Sequence, residues 1–563
     1  MFSKISLLFV LLLLYFTNAE YNPHPNGHIH FEDPRLAYEI LTRLDLQEPY
    51  NNGWTDAKAF QKYKINHLGL TSDFNYCEKH RLYYVDHPGY VYDQINFLTS
   101  YRNTSIVRKS ILQIIGNEVM PDTHESVYFE PTDPEAIDIA PNVNLIVTYF
   151  ELYFYRQIHT QHSCLGQMAN HLPGHETLYR KDTFLESLAA YENRFKNKSQ
   201  CFDPEVYFPK TYKLTDARQC KEFFKKFNSP EYQALKQERK IVYFRKTGSG
   251  AHGADGVFAV DTAEEIQINT LYSHGELCGQ VLENNLMQYY IYNPLLLNGR
   301  KFDFRVFMLI ASVNPFIVYY HDGLLRVSLS QYNPNGGNMR QSLMPNSQEN
   351  DDVINYATVK GSYKGKTLEE IREEYIWNFD RLQKYLIETG QVTDPNWLDN
   401  YLRPQFKKAM IHLIRMSQHG FLKISSVFEL FGVDFVMDED LNLWFIEANC
   451  RSAVEGTTPF SRAFFIQMYK DQYEIAMGIL RSRMKRVYKF VNNLMVSQQA
   501  FWTFDGEVYI EDFEENLKEF KKLTQNNFEA EFLPNENNGF SKIVDENFSG
   551  PQRYGHLIDS ECL

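Results

Sequence analysis

The segment from Phe431 to Asn449 carries residue types suited to holding a metal ion against a phosphate. Two apolar runs, Phe-Gly-Val-Asp-Phe-Val-Met and Leu-Trp-Phe-Ile-Glu-Ala-Asn, flank a polar turn containing Asp438, Glu439, Asp440 and Asn442, which predicts an antiparallel hairpin. If Asp438 pairs with Leu443 across a four-residue loop, Asp434 stands opposite Glu447, and Asn449, two residues on, shares their face. Opposed carboxylates in a half-buried sheet repel each other, so the arrangement makes sense around a hard divalent cation, magnesium on nucleotide phosphates being the natural candidate. A solvated pair of acids on an outer face fits poorly with Phe435, Trp444, Phe445 and Ile446 as neighbours.

Cations recur in other strand-like stretches. Lys301, Asp303 and Arg305 alternate with Phe302, Phe304 and Val306, so a strand there shows charges on one face and apolar groups on the other, as an exposed edge strand also would. Ile317 to Tyr320 and Leu324 to Leu329 flank His321-Asp322-Gly323, an Asp-Gly hairpin signal whose second strand delivers Arg326. Ile241 to Phe244 leads through Arg245-Lys246 into a glycine-rich stretch from Thr247 to Gly256, before Val257 to Val260. This reads as a hairpin whose loop is nearly all backbone, where Gly250 and Gly253 let main-chain N–H groups approach phosphate and Lys246 adds a point charge. The spacing is neither a Walker loop nor the dinucleotide fingerprint, and a plain flexible turn would look similar.

The frame that positions these residues is large. The chain has 563 residues, 44% hydrophobic and 15% aromatic, enough for several packed cores and too apolar for a largely disordered chain. A formal charge of -14 excludes a surface-wide field for nucleic acid, so any polyanion site is local. Seven cysteines without a Cys-x-x-Cys pair exclude zinc and haem readings; their odd number allows some bridges, whose pairing stays open.

Residues 1–19 read as a secretory signal peptide, with Lys4, an apolar run from Ile5 to Phe16 and the small-residue ending Thr17-Asn18-Ala19. No later stretch is apolar enough to span a membrane, so the expected product is a soluble monomer in a secretory lumen or outside the cell, a glycoprotein if the sequons at Asn103, Asn197 and Asn547 are used. Residues 20–142 form a loop-rich first domain, and the apolar run from Val143 to Tyr155 is a buried helix or strand. Leu368, Ile371, Tyr375, Phe379, Leu382 and Leu386, ending at Gly390, predict one amphipathic helix with a glycine cap. Residues 460–525 form a helical region in which Arg481, Arg483, Lys485, Arg486 and Lys489 make a solvated face or, less simply, a docking surface for an acidic partner; residues 526–563 are a mobile polar tail.

Several ordered blocks resemble the tubulin tyrosine ligase family. They are Asn170-His171-Leu172-Pro173-Gly174 with Tyr179-Arg180-Lys181-Asp182; Phe208-Pro209-Lys210-Thr211-Tyr212; the glycine loop after Lys246; Asn293-Pro294-Leu295 leading to Arg300 through Val306; Gly323-Leu324-Leu325-Arg326; Tyr332-Asn333-Pro334; and Phe428 to Asp434 with Glu447-Ala448-Asn449. The resemblance implies an α+β, ATP-grasp core at 143–459 and an ATP- and magnesium-dependent ligase joining a free amino acid (Glu, Gly or Tyr) to a protein carboxylate. It implies that Lys181 and Lys246 hold phosphates, Gln288 and the following hinge meet adenine, and Lys301 and Asp303 contact the nucleoside. It further implies that Asn346 lies near the phosphates, Arg305 and Arg326 hold the reacting carboxylate and acyl phosphate, and Asp434, Glu447 and Asn449 bind magnesium. Tyr289 stands where the family usually has lysine, and Cys450-Arg451-Ser452 where Ser-Pro-like residues are common. A leader conflicts with a cytosolic tubulin substrate: either the acceptor is an unknown secretory-pathway protein, or the leader is not used and the enzyme works in the cytoplasm or cilium. A catalytically retired, secreted ATP-grasp binding protein is the competing reading.

Overall fold

The computed structural model describes residues 29, 31–46, 97–99, 107, 110, 144–147, 165–195, 207–248, 256–328, 331–334, 365–421, 423, 425–450 and 458–547. The leader, the sequons at Asn103 and Asn197, most of the first domain, Gly250, Gly253 and Asn346 lie outside the described residues. The described part is mixed α+β with several sheets.

The largest sheet has ten strands, among the described residues, in the path β1 (Phe97–Thr99), β2 (Leu145–Val147), β3 (Met168–Asn170), β12 (Val427–Met437), β9 (Arg300–Val313), β10 (Phe316–Val327), β11 (Ile376–Trp377). Beside this path β8 (Leu296–Leu297) pairs β9, β13 (Leu443–Asn449) pairs β12, and β16 (Ser541–Asp545) pairs β10. A smaller antiparallel sheet runs β4 (Thr211–Lys213), β7 (Asn285–Tyr289), β5 (Tyr243–Thr247), β6 (Val257–Ala259). The apolar run at Val143 thus contains a strand, β2.

β9 follows from its pattern. Phe302, Phe304, Val306, Met308 and Ile310 enter one core, while Phe307, Leu309 and Ala311 enter a second, shared with the helix Pro459–Val496. Lys301, Asp303 and Arg305 continue the Phe307 face but lie beyond that core, so charge is tolerated there.

Two bulges decide which side chains join this face. β10 pairs β9 on both sides of His321-Asp322-Gly323, with a register shift between His321 and Leu324, so Asp-Gly makes a bulge inside one strand and not the expected hairpin turn; the turn is at Asn314-Pro315. Keeping the upstream register would set Arg326 opposite Phe302, on the apolar face; the extra residue sets it opposite Asp303. The chains approach so closely there that a Cβ on Gly323 would stand 1.6 Å from the Arg305 carbonyl oxygen. The β12–β13 hairpin starts with Met437 opposite Leu443, not Asp438, yet a bulge between Asp434 and Phe435 restores Asp434 opposite Glu447.

Three further expectations change. The stretch ending at Gly390 is two helices, Leu368–Tyr375 and Phe379–Glu388, because Ile376 and Trp377 pair with Arg326 and Leu325 and Asn378 caps the second helix through Arg381 N. In the basic cluster on Pro459–Val496 one residue is buried, Arg483, while Arg481, Lys485 and Arg486 are half-buried. Arg483 is fully buried and donates to the carbonyls of Leu165, Gln167 and Ser425, and Arg486 to those of Leu523, Gln525 and Asn527. Lys485 pairs with Glu531, whereas Lys489 is exposed. Residues 526–547 are not a mobile tail: Asn526 is buried, bonding Ser312 and the Ser425 carbonyl, and β16 lies along β10. They pack because the Asn526 side chain and the Asn527 carbonyl accept from Arg483 and Arg486, and β16 covers an open strand edge.

Candidate active site

Arg305 is the Cα partner of Asp434 across β9–β12, and Asp434 the partner of Glu447 across β12–β13, so one row crosses three strands. Arg305 Nη2 lies 2.8 Å from Asp434 Oδ2, and its Nε contacts Oδ1. Arg326 grips Asp303 through Nε at 2.8 Å and Nη2 at 2.6 Å, and reaches Asp434 Oδ2 at 3.1 Å. Lys181 Nζ sits 3.1 Å from Glu447 Oε2. Asn449 Nδ2 lies between the acids, 3.2 Å from Glu447 Oε1 and 3.4 Å from Asp434 Oδ2.

The charges are mutually compensated. Burial pushes Glu447 upward, but Lys181 and Lys246 outweigh it and hold the carboxyl at about 2. Burial pulls Lys246 down to about 8, with Lys181 pushing the same way, and burial brings Lys301 to about 8. Asp303 is raised by burial, opposed by Arg326. The Lys301 ammonium stands 5.3 Å from the centre of the Tyr290 ring, which offers it a π face in place of water.

Beside this row an open cleft lies between the sheets, lined by Lys181, Thr211, Lys246, Gln288, Phe445 and Glu447 among others. Lys246 and Gln288 share its wall through register: Lys246 opposes Leu286 and Phe244 opposes Gln288 across β5–β7. Gln288 Nε2 donates to Thr211 Oγ1 at 3.1 Å. Lys181, Lys246, Gln288, Lys301, Asp303, Arg305, Arg326, Asp434, Glu447 and Asn449 therefore flank one region. Asp303, read as a nucleoside contact, here has both oxygens engaged by Arg326.

The acids suit a divalent cation. Two carboxylates and one amide meet around a point where the Asn449 nitrogen now bridges the acids; turning that amide over would present three oxygens, of the two kinds used for magnesium. Among the described residues no cluster of three His, Cys, Asp or Glu side chains has metal-binding geometry.

Positioning residues were less visible in sequence. Glu429, buried on β12, accepts from Leu172 N at 2.8 Å and lies 3.3 Å from His171 Nδ1, fixing the turn that precedes the helix Lys181–Phe195. Asp182 accepts from Arg180 and, at 2.9 Å, from Asn284 Nδ2, joining that helix to the start of β7. The signal for both was their place inside the Asn170, Tyr179 and Phe428 blocks, not their chemistry. At the hinge, Tyr289 accepts a hydrogen bond from Arg239 at 3.3 Å, and that guanidinium stacks 4.7 Å over Tyr292.

The sequence profile of the tubulin-tyrosine ligase family matches residues 158–485. With more than half of its length matched, the chain belongs to the tubulin-tyrosine ligase family, which implies the ATP-grasp fold and use of ATP and magnesium. It is similar to protein polyglycylase TTLL10 of Macaca fascicularis, 26% identical over 261 residues, 44% of this chain and 38% of that protein. It is also similar to the inactive polyglycylase TTLL10 of Homo sapiens, 25% identical over 44% of this chain and 35% of that protein. Tubulin monoglutamylase TTLL4 of Mus musculus is 25% identical over 326 residues, 56% of this chain and 24% of that protein. The chain thus spans less than half the length of these relatives.

Proposed function

We propose that this protein is an ATP- and magnesium-dependent carboxylate–amine ligase that adds an amino acid, of the glycine or glutamate kind used by its relatives, to a protein carboxylate. The observation that carries the reading is the row Arg326–Asp303, Arg305–Asp434 and Lys181–Glu447, whose Lys181–Glu447 end lines a cleft between two sheets. In this reading the two α+β subdomains sandwich ATP, with Gln288 and the hinge at adenine and Lys181 and Lys246 on the phosphates. Asp434, Glu447 and Asn449 would hold magnesium, which would supply positive charge against the phosphate oxygens.

Arg305 and Arg326 orient the acceptor carboxylate, a poor acyl donor until it takes the γ-phosphoryl group of ATP, with ADP leaving, to become an acyl phosphate; they then stabilise negative charge as the amine attacks the acyl carbon, loses its proton and phosphate leaves. Lys246, drawn to about 8, regains full charge when phosphate arrives beside it. The apolar wall of Phe445 and Leu286 keeps water from the reactive acyl group.

The compartment in this reading is a secretory lumen or the exterior. Its support is the disulfide between Cys220 and Cys278, both buried in the small-sheet lobe, since such bonds persist in oxidising compartments and the leader pattern directs the chain there. The acceptor is then a lumenal protein and not cytosolic tubulin. A retired scaffold is the second reading, favoured by Tyr289 at a position usually lysine and by the inactive relative.

Thermal unfolding with Mg-ATP separates the two. An active ligase is stabilised in a magnesium-dependent way that Glu447→Gln loses. No stabilisation of the parent protein at millimolar ATP would exclude catalysis. Labelled glycine or glutamate, offered over lumenal and tubulin-containing extracts, identifies the acceptor.

A further inference from the structure

We propose that the hairpin formed by β14 (Ala500–Trp502) and β15 (Val508–Ile510) is a docking surface for a basic polypeptide segment, separate from the catalytic cleft. Its two faces differ sharply. Ala500, Val508 and Ile510 point into the core, and the strand ends are tied down by Arg43 to the Val508 carbonyl at 2.6 Å and by Trp502 Nε1 to Asp33 at 2.9 Å. On the outer face Phe501 and Tyr509 are direct cross-strand partners whose ring centres lie 5.2 Å apart, and they remain 42% and 48% exposed. Phe504 at the tip is wholly exposed.

The tip is an ordered turn. Thr503 N donates to the Glu507 carbonyl at 2.7 Å, Gly506 N to the Thr503 carbonyl at 3.0 Å, and Glu507 N to Thr503 Oγ1 at 3.1 Å, with Gly506 at φ +80. Three aromatic side chains are therefore held in water on a rigid support, where a solubilising residue would serve the fold as well.

The charge along the chain names the partner. Asp505, Glu507, Glu511, Asp512, Glu514 and Glu515 are all exposed, no lysine or arginine occurs from Gln499 to Leu517, and the half-buried Arg43 is the cation held at the Val508 carbonyl. A guanidinium or ammonium group set over the Phe501–Tyr509 pair gains cation–π attraction while its neighbours meet the acids. The same field repels an acidic peptide and an anionic bilayer.

The test uses the full chain and a fluorescent peptide of alternating arginine and leucine, with a matched glutamate–leucine peptide and phosphatidylcholine vesicles as comparison probes. The basic peptide binds the parent at least tenfold more tightly than F501A/F504A/Y509A, although both proteins carry the same net charge. Phe504→Ser alone, at a side chain that packs on nothing, gives a smaller loss with unchanged melting and serves if the triple variant misfolds. Neutralising Asp505, Glu507, Glu511 and Asp512 to their amides removes most of the salt dependence. Equal basic-peptide affinity in the parent and aromatic variants, or preference for the glutamate peptide, overturns the proposal. So does an aromatic-dependent response confined to vesicles, which assigns a lipid surface, or an aromatic-dependent dimer, which assigns a second copy.

Discussion

One face of the large sheet has two halves that obey opposite rules. On β9 the residues Phe307, Leu309 and Ala311 lie under the helix Pro459–Val496, with Phe307 ringed by Phe464 and Phe465 at 6.4 and 6.0 Å. A few residues earlier on the same face stand Lys301, Asp303 and Arg305, with Arg326 and Asp434 beside two of them. β12 repeats the contrast, Phe428 and Leu430 belonging to the covered core and Asp434 to the charged row. Chemistry begins where the covering helix stops, so the sheet uses one geometry both to bury apolar area and to aim charges.

The largest effect should come from the charged half. Glu447→Gln is expected to lower amino-acid transfer by ~10³-fold with little change in melting temperature, measured with labelled amino acid and calorimetry. The covered half should respond the other way. Phe307→Ala should cost about 3–5 kcal/mol in urea unfolding, while the folded fraction retains magnesium-dependent stabilisation by ATP. If Phe307→Ala spared stability but abolished transfer, the two halves would not be separable.

Gly323 joins the halves. Gly323→Ala must open the bulge against the Arg305 carbonyl, costing roughly 2–4 kcal/mol and misplacing Arg326, so stability and transfer fall together. Asp434→Asn removes the carboxylate shared by Arg305 and Arg326. Pyrophosphate binding in the presence of EDTA should then tighten by ~10-fold, read by titration calorimetry, because both arginines lose an internal partner. The smallest effect is on pH. With Lys246 at about 8, ATP affinity weakens several-fold as pH rises through that value, since a neutral lysine no longer attracts phosphate. Ligand-free stability moves oppositely. Between about 8 and the ordinary lysine value of 10.5 the unfolded chain binds more protons, so Lys246 and Lys301 make the fold more stable as pH rises through that window.

Alternation made the charged row legible: Lys301, Asp303 and Arg305 could be placed on one face from period two alone. The Asp434–Glu447 pairing came out right from a loop register that is one residue off, because the bulge at Phe435 compensates. Bulges depend on contacts between strands distant in sequence, and the Asp-Gly pair looked like a turn for that reason. Arg483 was illegible for a related cause. Its partners at Leu165, Gln167 and Ser425 are backbone carbonyls, which carry no sequence signal. The helix break at Ile376 is likewise set by pairing with β10, overriding a continuous apolar stripe.

The outer edge of β10 is sealed by β16, whose Ser541 bonds the Tyr320 carbonyl across a separation of 221 residues. During synthesis that edge leaves the ribosome long before its cover does, and until then it is a template to which a neighbouring nascent chain can add. A stop codon ahead of Ser541 would spare every residue of the charged row and still yield a protein prone to stick to its own copies.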